Sequence, residues 1–143
     1  MRGLLIGLLV VAGILSAAGF GYFVSARSGE AEAGHALYLA NCASCNGAKL
    51  EGQPDWMKRL PTGRLPAPPH DETGHTWHHS DKQLFTIVKF GLAAISPGHE
   101  SDMPAFEGVL TDAQIEAVLD YVKGSWPERT KKYQIDRSRA DPS

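Results

Sequence analysis

The residues from Gly34 to Gly47 read GHALYLANCASCNG and are the most informative part of the chain. It holds two cysteines, Cys42 and Cys45, which are separated by two residues and followed by Asn46. The pattern C-x-x-C-H is the signature of covalent haem attachment, in which both thiols form thioethers and the histidine binds the iron. Here the cysteines are present, but asparagine stands in place of the histidine. The stretch therefore predicts a haem-attachment site that lacks one iron ligand.

The chain begins with an apolar segment. From Leu4 to Val24 it contains no charged residue, and a helix of that length rises roughly 30 Å, enough to cross the hydrocarbon core of a bilayer. A cleaved signal peptide needs an apolar run of only about 7–15 residues. We therefore expect an N-terminal transmembrane helix that holds the rest of the chain on the periplasmic side of a bacterial inner membrane. Cleavage near Ala26, with release into the periplasm, is the alternative.

Composition suggests three parts: an anchor (or signal peptide) and linker over 1–29, a folded domain over 30–127 and a polar C-terminal tail over 128–143. The folded part carries 7 Lys and Arg against 13 Asp and Glu, a net charge of −6. Such a surface repels phosphate backbones, which argues against nucleic acid as a partner and favours proteins with basic patches. The tail is charged and has few apolar residues, so we expect it to be loose.

Helix signals occur at both ends of the expected domain. Residues 34–40 lead into the cysteines as a helix. Two capping boxes, each a Ser or Thr followed three residues later by Gln, open further helices at Ser80 and Thr111. Behind the second box, apolar residues recur with helical spacing at Ile115, Val118, Leu119 and Val122. Three helices and no convincing strand predict an all-α domain.

A long irregular loop separates the cysteines from the second helix. The stretch from Asn46 to Ser80 contains five prolines and four glycines and shows neither helical nor strand periodicity. It is nevertheless too apolar for a disordered linker, with Trp56, Met57, Leu60, Leu65 and Trp77 among its residues. Structureless loops of this length are uncommon in compact domains and are usually functional. We expect this loop to pack on a large flat cofactor.

The start of the domain resembles the N-terminal helix and haem site of class I c-type cytochromes, in the pattern Gly34-x-x-x-Tyr38-x-x-x-Cys42-x-x-Cys45-x-Gly47. In that family the glycine and the aromatic residue of the first helix pack against the last helix. The resemblance implies that Val118 and Tyr121 receive these two residues here. It covers about residues 34–127 and implies a small cytochrome c-like helical domain.

The segment before the last helix resembles the distal loop of the same family, where a methionine sulfur is the sixth iron ligand. Met103 stands at that position and is followed by Pro104. The resemblance implies that Met103 is an axial ligand of covalently attached haem c. It also implies single-electron transfer between redox partners, which is the function of a carrier rather than of an enzyme.

Asn46 stands where the family has its proximal histidine, and this is the departure from the family pattern. An amide oxygen is a weak iron ligand compared with imidazole, so the sequence predicts little covalent haem or haem with a labile iron. His75, His78 and His79 flank Trp77 and are the candidate substitute ligands. Their alternative role is to line the cofactor rim or to bind loop carbonyls. The remaining histidines, His35, His70 and His99, are expected to be solvated.

The sequence leaves three other functions open. Two cysteines in an oxidising compartment can form a disulfide, which would give a haem-free exported interaction protein. Imidazoles combined with Met103 or the thiolates suit copper, which would give a copper-binding protein. An open iron position would give a haem protein that binds ligands or has peroxidase-like activity.

Overall fold

The computed structural model of this chain describes residues 29–141. The chain divides into two compact units, 1–32 and 33–143, and only the helical residues 29–32 of the first unit are described. The described part of the second unit contains helix α1 over 33–41, α2 (Ala43–Asn46), α3 (Asp81–Phe90), α4 (Asp112–Gly124), α5 (Glu128–Ala140) and 3-10 helices at Thr76–His78 and Leu92–Ala94. Residues 29–141 contain no strand, which confirms the all-α prediction.

The predicted transmembrane helix falls on residues that lie outside the described part of the chain. Among the helices that the structure does describe, none combines the length and the apolar character that crossing a membrane requires.

Both predicted capping boxes are present. Ser80 Oγ accepts a hydrogen bond from Gln83 N at 3.2 Å, and the Gln83 side chain accepts one from Ser80 N at 3.2 Å. Thr111 and Gln114 repeat this exchange at the start of α4, at 3.3 and 2.9 Å. Each box satisfies two backbone N–H groups that would otherwise lack partners. Helix α3 ends before Gly91, whose φ of +86° suits glycine.

Helix α1 packs against α4 much as the resemblance implied. A Cβ at Gly34 would overlap the carbonyl oxygen of Ala117, so the close approach of the two backbones requires glycine. Tyr38 is fully buried, and its ring centroid lies 5.3 Å from that of Tyr121. Val118 shares the core with Tyr38. The core contains Tyr38, Leu50, Leu84, Phe106, Leu110, Ile115, Val118, Leu119, Val122 and Trp126.

Within the predicted irregular stretch from Asn46 to Ser80, residues 47–75, which we call the long loop, contain no helix or strand. The prediction was wrong at the two ends, because Asn46 ends α2 and Thr76–His78 form a 3-10 helix. It is anchored by the protein itself through backbone hydrogen bonds. His70 N donates to Leu50 O at 2.8 Å, and Gln53 N donates to Ala67 O at 2.9 Å. The indole N–H of Trp126 donates to His70 O at 2.7 Å, and Leu50 is buried in the core. The loop is thus tied to the helical core near both of its ends.

The expectation of a loose segment after Pro127 is wrong, because residues 128–140 form helix α5 in the same compact unit as α1–α4. The search for apolar periodicity missed this helix, because its contacts with the rest of the domain include buried hydrogen bonds and no apolar stripe. Gln134 is only 3 % exposed, and its Nε2 donates to Asp81 Oδ1 at 3.0 Å. Ser80 Oγ donates to Asp141 Oδ2 at 2.6 Å. Helix α5 is therefore held to the start of α3 by hydrogen bonds.

Candidate haem-binding site

Cys42 and Cys45 lie on one turn of chain at α2. Cys45 N and Asn46 N donate to Cys42 O at 3.1 and 2.9 Å, which closes this turn. Both cysteines are free thiols, Cys45 exposed and Cys42 half-buried. Burial, with a smaller effect of Cys45, raises the pKa of Cys42 to about 11, so this thiol stays protonated at neutral pH. Two free thiols within one turn are what a double thioether attachment requires.

Asn46 is held by the long loop on both its side chain and its backbone. Its Nδ2 donates to Pro68 O at 2.9 Å, and its carbonyl oxygen accepts from Gly52 N at 2.8 Å. A metal-binding histidine characteristically donates its second ring N–H to a backbone carbonyl or similar acceptor. Asn46 makes that outer hydrogen bond but has no ring nitrogen to offer a metal. Asn46 thus retains the hydrogen bond that a histidine ligand makes to a backbone carbonyl, but it cannot make the bond from a ring nitrogen to the iron.

Met103 lies in the segment between the 3-10 helix Leu92–Ala94 and α4. Its side chain is 37 % exposed, and its backbone N donates to Ser101 Oγ at 3.1 Å. Three residues later, Phe106 is buried and its N donates to Val88 O at 3.0 Å, which fixes this end of the segment against α3. Met103 is therefore partly exposed, on a segment that is anchored three residues after it.

The segment before Met103 is joined to the long loop by an ion-pair group. The Arg64 guanidinium is hydrogen-bonded to Asp102, and its Nε lies 3.5 Å from Glu100 Oε2. Arg64 stands four residues before Pro68, whose carbonyl binds Asn46. The same stretch of loop thus contacts both the segment of Met103 and the side chain at position 46.

Four large apolar side chains on these segments are exposed. They are Met57 (74 %), Leu60 (41 %), Phe90 (47 %) and Met103 (37 %). Two lie in the long loop, and two lie at the end of α3 or between α3 and α4. Covering apolar surface contributes about 25 cal/mol per Å². Exposed apolar side chains that a bound apolar cofactor could cover are thus present on both segments.

The three candidate substitute histidines have different surroundings. His75 stacks on Trp56 with ring centroids 5.6 Å apart, and its ring is also 5.6 Å from that of His79. Burial and neighbouring imidazoles lower the pKa of both His75 and His79, so both are neutral at physiological pH. His78 instead stacks on Trp77 at 3.8 Å and meets Tyr133 of α5. The structure thus packs His78 against α5, and the assignment of a substitute ligand stays a prediction.

His70 is not solvated, contrary to the prediction from sequence. Its Nδ1 is 2.8 Å from Thr76 Oγ1, and its ring lies edge-on to that of Tyr38 at 6.2 Å. Burial lowers the pKa of His70 to about 4, so the ring is neutral at physiological pH. A single histidine beside prolines shows no periodicity that would have signalled this burial. His35 is exposed, as predicted, and stacks on Tyr121 at 4.8 Å.

The copper alternative requires a set of clustered ligands. Within residues 29–141, no group of three or more His, Cys, Asp or Glu side chains is arranged to hold a metal ion. In the described part of the chain these four residue types alone thus form no copper site, and a set completed by Met103 stays a prediction. Two free thiols on one turn and a partly exposed methionine fit covalent haem, whereas Asn46 does not provide the expected imidazole.

Comparison with known proteins supports the same interpretation. A family model described as "Cytochrome C oxidase, cbb3-type, subunit III" matches residues 29–122, about two thirds of the chain. The matched residues include Cys42, Cys45, Asn46 and Met103, and they end inside α4, so that α5 lies beyond them. No curated protein and no solved structure matches the chain.

Proposed function

The chain belongs to the family of cbb3-type cytochrome c oxidase subunit III, a cytochrome c-like domain, and we propose on this basis that it is a membrane-tethered c-type cytochrome with Asn46 in place of the proximal histidine. Its function in this proposal is to carry single electrons through covalently attached haem. The observation that carries the proposal is the pair of free thiols on one turn, Cys42 and Cys45, inside the matched residues.

Each site residue has a separate role. Cys42 and Cys45 would hold haem by thioethers, each formed by addition of S–H across a vinyl group. Met103 would supply a thioether sulfur to the iron. Bound haem supplies a one-electron iron couple, and a methionine ligand raises its reduction potential. Asn46 fixes the loop carbonyl of Pro68 without providing an imidazole nitrogen. Incomplete haem loading, or a labile iron ligand set, follows from that loss.

The partners follow from the charge of the domain. Residues 30–127 carry a net charge of −6, and complementary charge steers association between redox proteins. We therefore assign it partners with basic patches, on the periplasmic side of the bacterial inner membrane. The apolar segment from Leu4 to Val24 would be the tether, and release after signal cleavage is the alternative. Recovery of the mature protein in the membrane fraction would support the tether, whereas an N-terminus at Arg27 would contradict it.

A second candidate is a haem protein with an open iron position, which binds small ligands or reacts with peroxide. Asn46 favours this candidate, because no imidazole stands at its position and its amide oxygen is only a weak iron ligand. The two candidates share the attachment chemistry and differ only in whether the iron has a strong proximal ligand.

Replacement of Asn46 by His tests the proposal. The variant and the unmodified protein would be produced in cells able to attach haem c and measured by pyridine-haemochrome and optical spectroscopy. We expect Asn46→His to raise covalent haem and to give a low-spin His/Met spectrum with a sulfur-to-iron charge-transfer band. That band should disappear when Met103→Ala is added. The matched control is Asn41→His, because Asn41 also donates to a backbone carbonyl, Leu37 O, at 2.9 Å.

The outcomes separate the candidates. If the unmodified protein already shows the His/Met spectrum, a histidine such as His75 or His79 has taken the proximal position. A high-spin unmodified protein that becomes low-spin in Asn46→His would support the open-position candidate for the natural sequence. If Asn46→His binds no haem, the cytochrome proposal is wrong, and the disulfide alternative would then have to be tested first.

A further inference from the structure

Residues 64–68, which we call the linking segment, contact both positions expected to face the iron. At one end, Arg64 binds Asp102 and Glu100, just before Met103 in the chain. At the other end, Pro68 O accepts from Asn46 Nδ2 at 2.9 Å. A stretch of five residues therefore joins the Cys-x-x-Cys turn to the segment that carries the methionine.

The linking segment is rigid. Its prolines, Pro66 and Pro68, fix two φ angles. Ala67 exchanges two hydrogen bonds with Gln53, at 2.9 Å to the backbone N and 3.2 Å to the side chain. Arg64 O accepts from Leu60 N at 2.8 Å. The backbone is therefore restrained at Arg64 and again at Ala67, which limits the movement of the guanidinium and of the groups that it binds.

The segment that Arg64 binds has weaker restraints of its own. It runs from the 3-10 helix Leu92–Ala94 to Phe106, which is anchored on α3. Between these ends it contains Gly98, with φ of +81°. The described hydrogen bonds from Ser96 to Met103 are local to the segment, whereas the Arg64 bonds to Asp102 and Glu100 reach across to another part of the chain.

We propose that Arg64 is a positioning residue for Met103, which it holds in place through Asp102 and Glu100. The proposal deepens the function assigned above, because it assigns to one cation the placement of the expected methionine ligand. The carboxylates are 59 % and 74 % exposed and the Arg64 side chain is 40 % exposed. The restraint must therefore depend on salt, since the Debye length falls to about 3 Å at 1 M ionic strength. The position of Met103 should then respond to salt as well.

Oxidation of Met103 by hydrogen peroxide measures this restraint without any need for haem. The sulfoxide would be quantified by peptide mass spectrometry in the full-length protein, with the exposed Met57 as internal reference. Exposed ion pairs have modest free energies, so we expect Arg64→Gln to speed Met103 oxidation about threefold relative to Met57. Arg64→Lys keeps the charge and should lie closer to the unmodified protein.

Two further comparisons distinguish positioning from general loosening. Raising NaCl to about 1 M should speed Met103 oxidation in the unmodified protein but not in Arg64→Gln. The control is Lys132→Gln, which removes another exposed ion pair, Lys132–Asp136 at 2.9 Å on α5. It should leave the oxidation rate of Met103 unchanged.

The proposal is overturned if the oxidation ratio of Met103 to Met57 is the same in Arg64→Gln and the unmodified protein. It is also overturned if salt leaves that ratio unchanged in the unmodified protein. Neither result bears on haem attachment, which pyridine-haemochrome spectroscopy reports separately. Failure of the cytochrome proposal and failure of the Arg64 proposal are thus observed in different measurements.

Discussion

Asn46 lacks the imidazole of a histidine ligand, but its side chain has a structural role. Its amide joins α2 to the long loop through Pro68 O, 22 residues away, and a hydrogen bond of this kind contributes about 1 kcal/mol to stability. A histidine ligand would donate its outer N–H to an acceptor of this type. Asparagine therefore preserves the connection between helix and loop while removing the imidazole nitrogen.

Asn46→Ala is expected to lower the free energy of unfolding by about 1 kcal/mol, because the half-buried Pro68 carbonyl loses its donor. The matched control is Asn41→Ala, which removes a donor to Leu37 O at the same distance of 2.9 Å but within one helix. That loss is offset because alanine is the better helix former. Urea unfolding of both variants without haem would check the difference. Equal destabilisation of the two would contradict a special role for Asn46.

Sequence reasoning identified the site residues that belong to a recognisable motif. It missed the residues whose role depends on a contact with a distant part of the chain. Cys42 and Cys45 are recognised by their spacing alone, and the structure shows both as free thiols. The partner of Asn46 is a backbone carbonyl, which carries no signature of residue type. Arg64 is a charged loop residue that a sequence cannot connect with Asp102, 38 residues further on. Side-chain partners separated by this distance depend on tertiary structure.

Elements with local signals were predicted, and one element without them was not. Capping boxes and an apolar stripe located α3 and α4, since both signals act within a few residues of chain. Helix α5 has instead a first-turn Glu128, a last-turn Arg137 and Arg139, and a buried Gln134. These charges suit the helix dipole, but without an apolar stripe they do not indicate packing. The hydrogen bonds that attach α5 to the start of α3 could be found only from the structure.

Gln134→Ala tests the docking of α5. Burial would raise the pKa of Asp81, but hydrogen bonds from Lys123 and Gln134 hold it below its usual value. Loss of the Gln134 donor should lower the free energy of unfolding by about 1–2 kcal/mol and speed hydrogen exchange at residues 76–81. The control Lys132→Ala removes a side chain that is 78 % exposed and should change stability by less than about 0.5 kcal/mol. Unchanged exchange at 76–81 in Gln134→Ala would show that α5 does not hold this segment.

One core joins α1, α3 and α4 to the long loop. Leu50 from the loop, Tyr38 from α1 and Trp126, which lies two residues after the end of α4, belong to the same buried cluster. His70 lies at the junction, because its backbone binds Leu50 and Trp126 and its ring approaches Tyr38. Protonation of this ring would introduce charge where the loop meets the core. The stability of the entire fold is therefore expected to depend on the protonation of His70.

The sign of this dependence follows from the pKa shift. Burial lowers the pKa of His70 from its ordinary 6.5 to about 4, so between these values the unfolded chain binds a proton that the folded chain does not. The contribution is present in full above pH 6.5 and is lost as pH falls to 4. A shift of this size corresponds to a free energy on the order of 3 kcal/mol. The lowered pKa values of His75 and His79 act in the same direction.

We expect His70→Gln to be less stable than the unmodified protein at pH 7 but to lose less stability between pH 6.5 and 4. The difference in slope arises because glutamine has no proton to bind, whereas His75 and His79 still titrate in the variant. The matched control is His35→Gln, which removes an exposed imidazole on α1 and should keep the acid dependence of the unmodified protein. Urea unfolding at a series of pH values would measure all three slopes. If the His70→Gln and unmodified curves run parallel through this range, the histidine at the junction does not control acid stability.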